Sequence, residues 1–188
     1  EDVLKSIQPL DKDDKKSKIS GKILAVDDNI NNTSLLKKRM EKKGHQVITA
    51  NDGEEALFEL LNSDNDFDVV LLDIIMPKMN GFEVLKYIRS DKRLFDLPVI
   101  MISSMDDTDS IFRCIEFGAD DYVKKPFDNS ILEARINTSI ERRQLREKEK
   151  TLLIELQEER KKSDDLLLNI LPRKIADRLK TGEVTIAD

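Results

Sequence analysis

Five residues in this 188-residue chain could together handle a phosphoryl group: Asp27, Asp28, Asp73, Ser103 and Lys125. Each follows or ends a short apolar run. Asp27 and Asp28 follow Ile23-Leu24-Ala25-Val26, and Asp73 ends Val69-Val70-Leu71-Leu72. Ser103 ends Val99-Ile100-Met101-Ile102, and Lys125 follows Tyr122-Val123. Three carboxylates gathered in one place repel one another, and a cation relieves the repulsion. All-oxygen ligands favour a hard divalent cation such as Mg²⁺ or Mn²⁺. Carboxylates alone could be a metal site and nothing more. A lysine and a hydroxyl beside them suit phosphoryl oxygens, the first as a point charge and the second as a donor. The chemistry is then in-line attack by a carboxylate on phosphorus.

The elements that must position these groups are legible as an alternation. The four apolar runs and Val47-Ile48 read as five strands. They lack polar alternation, as expected of strands buried on both faces of a parallel sheet. Amphipathic segments separate them: Asn31 to Lys43, Glu54 to Leu61, Phe82 to Ser90 and Ser110 to Phe117, with a fifth beginning near Ser130. Gly44 and Gly118 stand where helices should stop. The expected fold class is α/β, a doubly wound (βα)5 five-stranded parallel sheet, with the carboxyl ends of the strands as the binding edge.

From Ser130 to about Leu168 no Gly or Pro interrupts the chain, and Glu, Lys, Arg, Gln and Leu dominate. Leu145, Leu152 and Leu166 share one heptad position, and Leu156 and Ile170 share its partner. Glu149, Glu159 and Ser163 interrupt that seam. The pattern predicts an extended C-terminal helix forming a parallel coiled coil, against the alternative of a solvated single helix. Pro172 should break or restart it. The expected organisation is a linker over 1–20 (with a short helix at Val3 to Ile7), a globular domain over 21–140, a signalling helix over 141–170 and a further segment over 171–188.

Composition narrows the classes. Charged residues make up 37% and apolar residues 39%, with a formal net charge of -6. That acidic balance argues against nucleic acid as partner, which requires a basic patch. No apolar run is long enough to span a bilayer, and a single cysteine, Cys114, fits a reducing cytoplasm. Cys114 reads as a packing residue and the lone histidine, His45, as an exposed turn residue. Asp106-Asp107 should cap the helix that follows. A chain beginning at Glu1 reads as a fragment.

Three stretches resemble the motifs of two-component response-regulator receivers: Ile23 to Asn29, Asp73-Ile74-Ile75-Met76-Pro77-Lys78-Met79-Asn80-Gly81, and Gly118 to Phe127. The resemblance spans about Gly21 to Ile140. It implies that Asp73 is the nucleophile that becomes aspartyl phosphate. It implies that Asp28 binds Mg²⁺ directly, Asp27 mostly through water, and that the Ile75 carbonyl is a further ligand beside Asp73. Ser103 and Ser104 would contact the phosphate with Lys125, and Ser103 and Tyr122 would act as the switch. The Lys125–Pro126 bond should be cis, and a histidine kinase should be the phosphodonor.

Leu166-Leu167-Leu168-Asn169-Ile170-Leu171-Pro172-Arg173-Lys174-Ile175-Ala176-Asp177-Arg178-Leu179-Lys180-Thr181-Gly182-Glu183 is similar to the transducer segment that precedes class III adenylate/guanylate cyclase domains. The expectation is a homodimer, formed through the receiver face and the coiled coil, that regulates such a cyclase. The alternatives are a different dimeric output, such as a diguanylate cyclase or kinase, or a non-catalytic coiled-coil interaction protein. A generic connector is the plainer reading of the last segment. No cyclase active site lies within these 188 residues, and no membrane contact is expected of them.

Overall fold

The structure is a computed structural model that describes residues 19–62, 65–104 and 108–170, with residue 108 and residues 167–170 described as backbone only. Residues 1–18 of the expected 1–20 linker, Met105, the Asp106-Asp107 cap and the segment from Leu171 onward lie outside the described residues.

Strands and helices alternate as expected. They are β1 (Lys22–Val26), α1 (Ile30–Lys43), β2 (Gln46–Ala50), α2 (Gly53–Leu61), β3 (Val69–Asp73), α3 (Gly81–Ser90), β4 (Val99–Ser103), α4 (Thr108–Glu116), β5 (Asp121–Lys124) and α5 (Asn129–Ile170). All pairings are parallel, in the order β2-β1-β3-β4-β5. Strands β3 and β4 are buried at every position. The expectation of full burial holds for Val47 and Val123 but fails for Ile48 of β2 and Tyr122 of β5, which are partly exposed. These strands are the two edges of the sheet, so each has a flank that no neighbouring strand covers.

The period of two along each strand divides the core into two layers. On one face Leu24, Val26, Val70, Leu72, Val99 and Met101 pack with residues of α2, α3 and α4. On the other Ile23, Ala25, Val69, Leu71, Ile100 and Ile102 meet Met40 of α1 and Leu132, Ile136 and Ile140 of α5. Those three α5 residues recur every four positions and are fully buried. Truncating any of them to Ala removes on the order of 2–5 kcal/mol.

Helix ends are set by local chemistry. Asn29, Asp52 and Asn80 cap α1, α2 and α3 by accepting backbone N–H groups, and Glu83 completes a capping box with Asn80. Gly44 ends α1 in the left-handed region at φ 99°, its N–H on the Glu41 carbonyl and that of His45 on the Met40 carbonyl. This reversal turns His45 back beneath the helix end, the position that usually packs against the last turn. His45 is therefore buried, 5% exposed, and not the exposed turn residue expected of it. Cys114 packs in the core as expected, and burial pushes its thiol up to about 11. Arg89 ties the far side of the sheet together. Its guanidinium donates to the carbonyls of Phe95, Leu97 and Gly118 and to Asp120.

The chain divides into two compact units after Gln144. In the second, Leu145, Leu152, Leu153, Ile154, Leu156 and Leu166 are all exposed. Among the described residues no helix is long and apolar enough to cross a membrane.

One loop contact has a measurable pH signature. Lys78, a non-glycine residue at φ 62°, places its ammonium 2.5 Å from Asp52 Oδ2 and 3.8 Å from Glu54. The Glu55 backbone N–H, and then Lys78, hold the Asp52 carboxyl below its ordinary range. A depressed folded pKa gives stability that is present above the unfolded value and is lost as pH falls through the folded one. Asp52→Asn keeps a capping acceptor but removes the charge. It should be less stable than the parent at neutral pH, and the gap should close below about pH 4. Urea midpoints measured across that range check this, and a gap independent of pH would contradict it.

Candidate functional site at the carboxyl edge of the sheet

The order β2-β1-β3-β4-β5 places the ends of β1 and β3 side by side, with β4 and β5 following. Asp27 and Asp28 leave β1 and Asp73 is the last residue of β3. Carboxylate oxygens of all three lie within 4.8 Å of one another. Asp27 and Asp73 are 9% and 7% exposed, whereas Asp28 is open to solvent.

One ammonium bridges the two buried carboxylates. Lys125 Nζ lies 2.7 Å from Asp27 Oδ2 and 2.7 Å from Asp73 Oδ2. The backbone sets its position, because the Lys125 N–H donates to the Ser103 carbonyl at 2.7 Å. The Lys125–Pro126 bond is cis, as expected. Ser103 is fully buried at the end of β4 and Ser104 is exposed. Tyr122, on neighbouring β5, packs partly buried against the core layer of α2, α3 and α4. Ile75 is exposed beside the cluster, two residues past Asp73.

Two supports were not apparent from sequence. Asn32 of α1 donates from its amide to both Asp27 oxygens at 3.2 Å, and the Asn29 N–H donates to Asp27 Oδ1 at 2.9 Å. The spacing from Asp27 to Asn32 was a usable signal only once α1 was known to begin at Ile30. The other support is a missing side chain. A Cβ on Gly81 would stand 2.2 Å from the Asp73 carbonyl oxygen, and the Gly81 N–H donates to the Ile74 carbonyl. Glycine thus lets α3 start against the end of β3 and fixes the backbone that carries Asp73.

The electrostatics follow from burial. Desolvation pushes the Asp73 carboxyl above its ordinary value. The hydrogen bond and charge of Lys125 oppose this, and the Asp27 charge adds to it. Burial disfavours the Lys125 charge, but its hydrogen bonds to Asp27 and Asp73, with their negative charges, outweigh it and the ammonium is held above its ordinary range. The acidic oxygens suit a hard divalent cation, and the lysine offers a charge to an incoming anion. Together these groups can bind an oxyanion beside a carboxylate nucleophile.

Lys125→Met removes both the hydrogen bond and the charge by which the ammonium keeps Asp73 ionised. In metal-free buffer, Asp73 should then titrate at higher pH than in the parent, as followed by its side-chain carboxyl ¹³C shift. An unchanged or lower titration would contradict the balance described here.

Comparison with known proteins agrees with this geometry. Residues 23–137 match the family model described as the response regulator receiver domain. The transcriptional regulatory protein CpxR of Escherichia coli K12 is 45% identical over 121 residues, covering 64% of this chain and 50% of CpxR. A probable transcriptional regulator, ycf27, of Guillardia theta is 44% identical over 121 residues, covering 64% and 46%. The chain thus spans about half the length of these relatives. Among solved structures, the receiver domain of the Francisella response regulator 1452 superposes with a TM-score of 0.59 at 36% identity, covering 65% of this chain and 98% of that one. The chemotaxis protein CheY4 of Vibrio cholerae does so at 0.59 and 30%, covering 64% and 98%. With the three motifs, the β2-β1-β3-β4-β5 sheet and the Asp–Asp–Lys cluster in one place, this chain belongs to the response regulator receiver domain family.

Proposed function

We propose that the chain accepts a phosphoryl group on Asp73 from a histidine-kinase phosphodonor and regulates a dimeric output downstream of α5. The observation that carries this is the Lys125 ammonium shared between Asp27 and Asp73 at 2.7 Å to each. An Asp73 oxygen attacks phosphorus, a P–O bond forms and the bond to the donor breaks. Lys125 can pivot from the carboxylates to a phosphoryl oxygen with little motion. The Ser103 hydroxyl, with Ser104 beside it, would donate to another, and Ser103 and Tyr122 would reorient together as the switch. Asp27, Asp28, Asp73 and the Ile75 carbonyl would hold Mg²⁺ or Mn²⁺, whose chemistry is to neutralise charge on the transferring group. The cluster's three carboxylates within 4.8 Å fit such an ion.

The organisation we propose is a receiver over 21–140, a signalling helix over 141–170 and a cyclase transducer over 171–188, acting in the cytoplasm as a homodimer. The homodimer would form through the receiver face and the helix. The output is a class III purine nucleotide cyclase, supported by the sequence from Leu166 to Glu183, most of which lies beyond the described residues. A transcriptional output is the second reading. The names of CpxR and ycf27 favour it for those proteins, whose matched portion is about half their length.

The test is a cyclase assay of the full-length gene product with ATP and GTP, with and without beryllofluoride. Beryllofluoride should change the rate of cyclic nucleotide formation, and Asp73→Asn should remove the response while leaving the fold intact. Absence of cyclic nucleotide would sink the cyclase output. An equal response in the Asn variant would sink the role of Asp73.

A further inference from the structure

Among the described residues, nothing covers Leu145, Leu152, Leu156 or Leu166 of the second unit. Leu145, Leu152, Leu156 and Leu166 are 59%, 65%, 61% and 61% exposed on one helix. With Glu149, Glu159, Ser163 and Ile170 they complete a heptad column pair. In this register 149, 156, 163 and 170 are a positions, and 145, 152, 159 and 166 are d positions. The flanking positions then follow. Lys148, Glu155 and Lys162 fall at g, and Arg146, Leu153 and Arg160 at e.

We infer that a second copy of this chain docks here in parallel and in register, with orientation set by Glu155 of one helix pairing with Arg160 of the other. This rests on the coiled-coil reading above and adds its specificity. In a parallel two-stranded coil, a g residue faces the e residue five positions later on its partner. That rule sets Glu155 opposite Arg160, and twofold symmetry repeats the pair. By the same rule the long stem of Lys148 would lie over Leu153 of the second copy, covering apolar surface while its charge stays in water. No like-charged g–e pair arises within residues 145–167. Turning each helix so that Leu153 and Leu156 form the seam would put Arg146 and Arg160 in the core and set Glu159 against Asp164 of the partner. That arrangement has Arg146, Glu149 and Arg160 in the core, against Glu149 and Glu159 in the first seam, and adds the Glu159–Asp164 repulsion, so the first seam is preferred.

The seam is weak by construction. Glu149 and Glu159 each face their own symmetry mate in the core, which lowers stability but penalises any stagger that would move them onto leucines. With so few apolar layers, the flanking ion pairs decide orientation out of proportion to their individual strength.

The test is a charge-swap cycle on the 188-residue chain, with dimer dissociation measured by sedimentation equilibrium at low and high salt. Glu155→Arg and Arg160→Glu should each weaken the dimer on the order of tenfold at low salt, because two attractive contacts become repulsive. The double variant E155R/R160E should return to the parent value, and high salt should shrink all differences. Single variants that dimerise as tightly as the parent would overturn the pairing and orientation, since an antiparallel coil does not set g against e. A parent chain that stays monomeric throughout would instead overturn the coiled-coil reading on which the pairing rests.

Discussion

The structure turns on one shared ammonium. Two carboxylates buried at the ends of β1 and β3 would repel strongly in a low-dielectric pocket, and Lys125 from beyond β5 sits between them. The pair of contacts closes the carboxyl edge of the sheet across three strands. It also leaves a site whose three carboxylates are only partly offset by one ammonium. A cation bound by the carboxylates or an anion bound by the lysine changes that balance, so the site responds to charge by its own construction.

Everything around the ammonium serves to hold it in place. Parallel pairing brings strand ends to one edge without further instruction, and the crossover helices cover both faces. The Ser103 carbonyl fixes the Lys125 backbone, Asn32 and the Asn29 N–H fix Asp27, and the absence of a side chain on Gly81 lets α3 begin against Asp73. Packing supplies the rigidity. The two core layers lock β1, β3 and β4 from both sides, and α5 contributes Leu132, Ile136 and Ile140 to one of them. The same helix continues to Ile170, with Leu145, Leu152, Leu156 and Leu166 exposed.

Much of this was legible in the residues. Unbroken apolar runs separated by amphipathic segments gave the alternation and its parallel sheet, and polar residues at the ends of those runs marked the edge where Asp27, Asp73 and Lys125 meet. What local pattern could not give were the features that depend on three-dimensional neighbours. Burial of β2 and β5 depended on strand order, which the apolar pairs Val47-Ile48 and Tyr122-Val123 do not state by themselves. His45 read as a surface residue until the Gly44 reversal carried it under α1. Asn32 looked like any polar residue of an exposed helix face, and Lys78 like any loop lysine, because their partners Asp27 and Asp52 are set by tertiary structure. The seam beyond Gln144 is the opposite case. Its heptad spacing is visible in sequence, and the exposed leucines of the isolated helix accord with it without supplying the partner.

The central claim is that Asp73, and neither of its neighbouring aspartates, becomes the acyl phosphate. Borohydride reduction of the chain after incubation with acetyl phosphate and Mg²⁺ reads this directly, since an aspartyl phosphate is reduced to homoserine at the position that carried it. Peptide mapping should find homoserine at position 73 alone. Homoserine at position 27 or 28, or none at any position, would contradict the account.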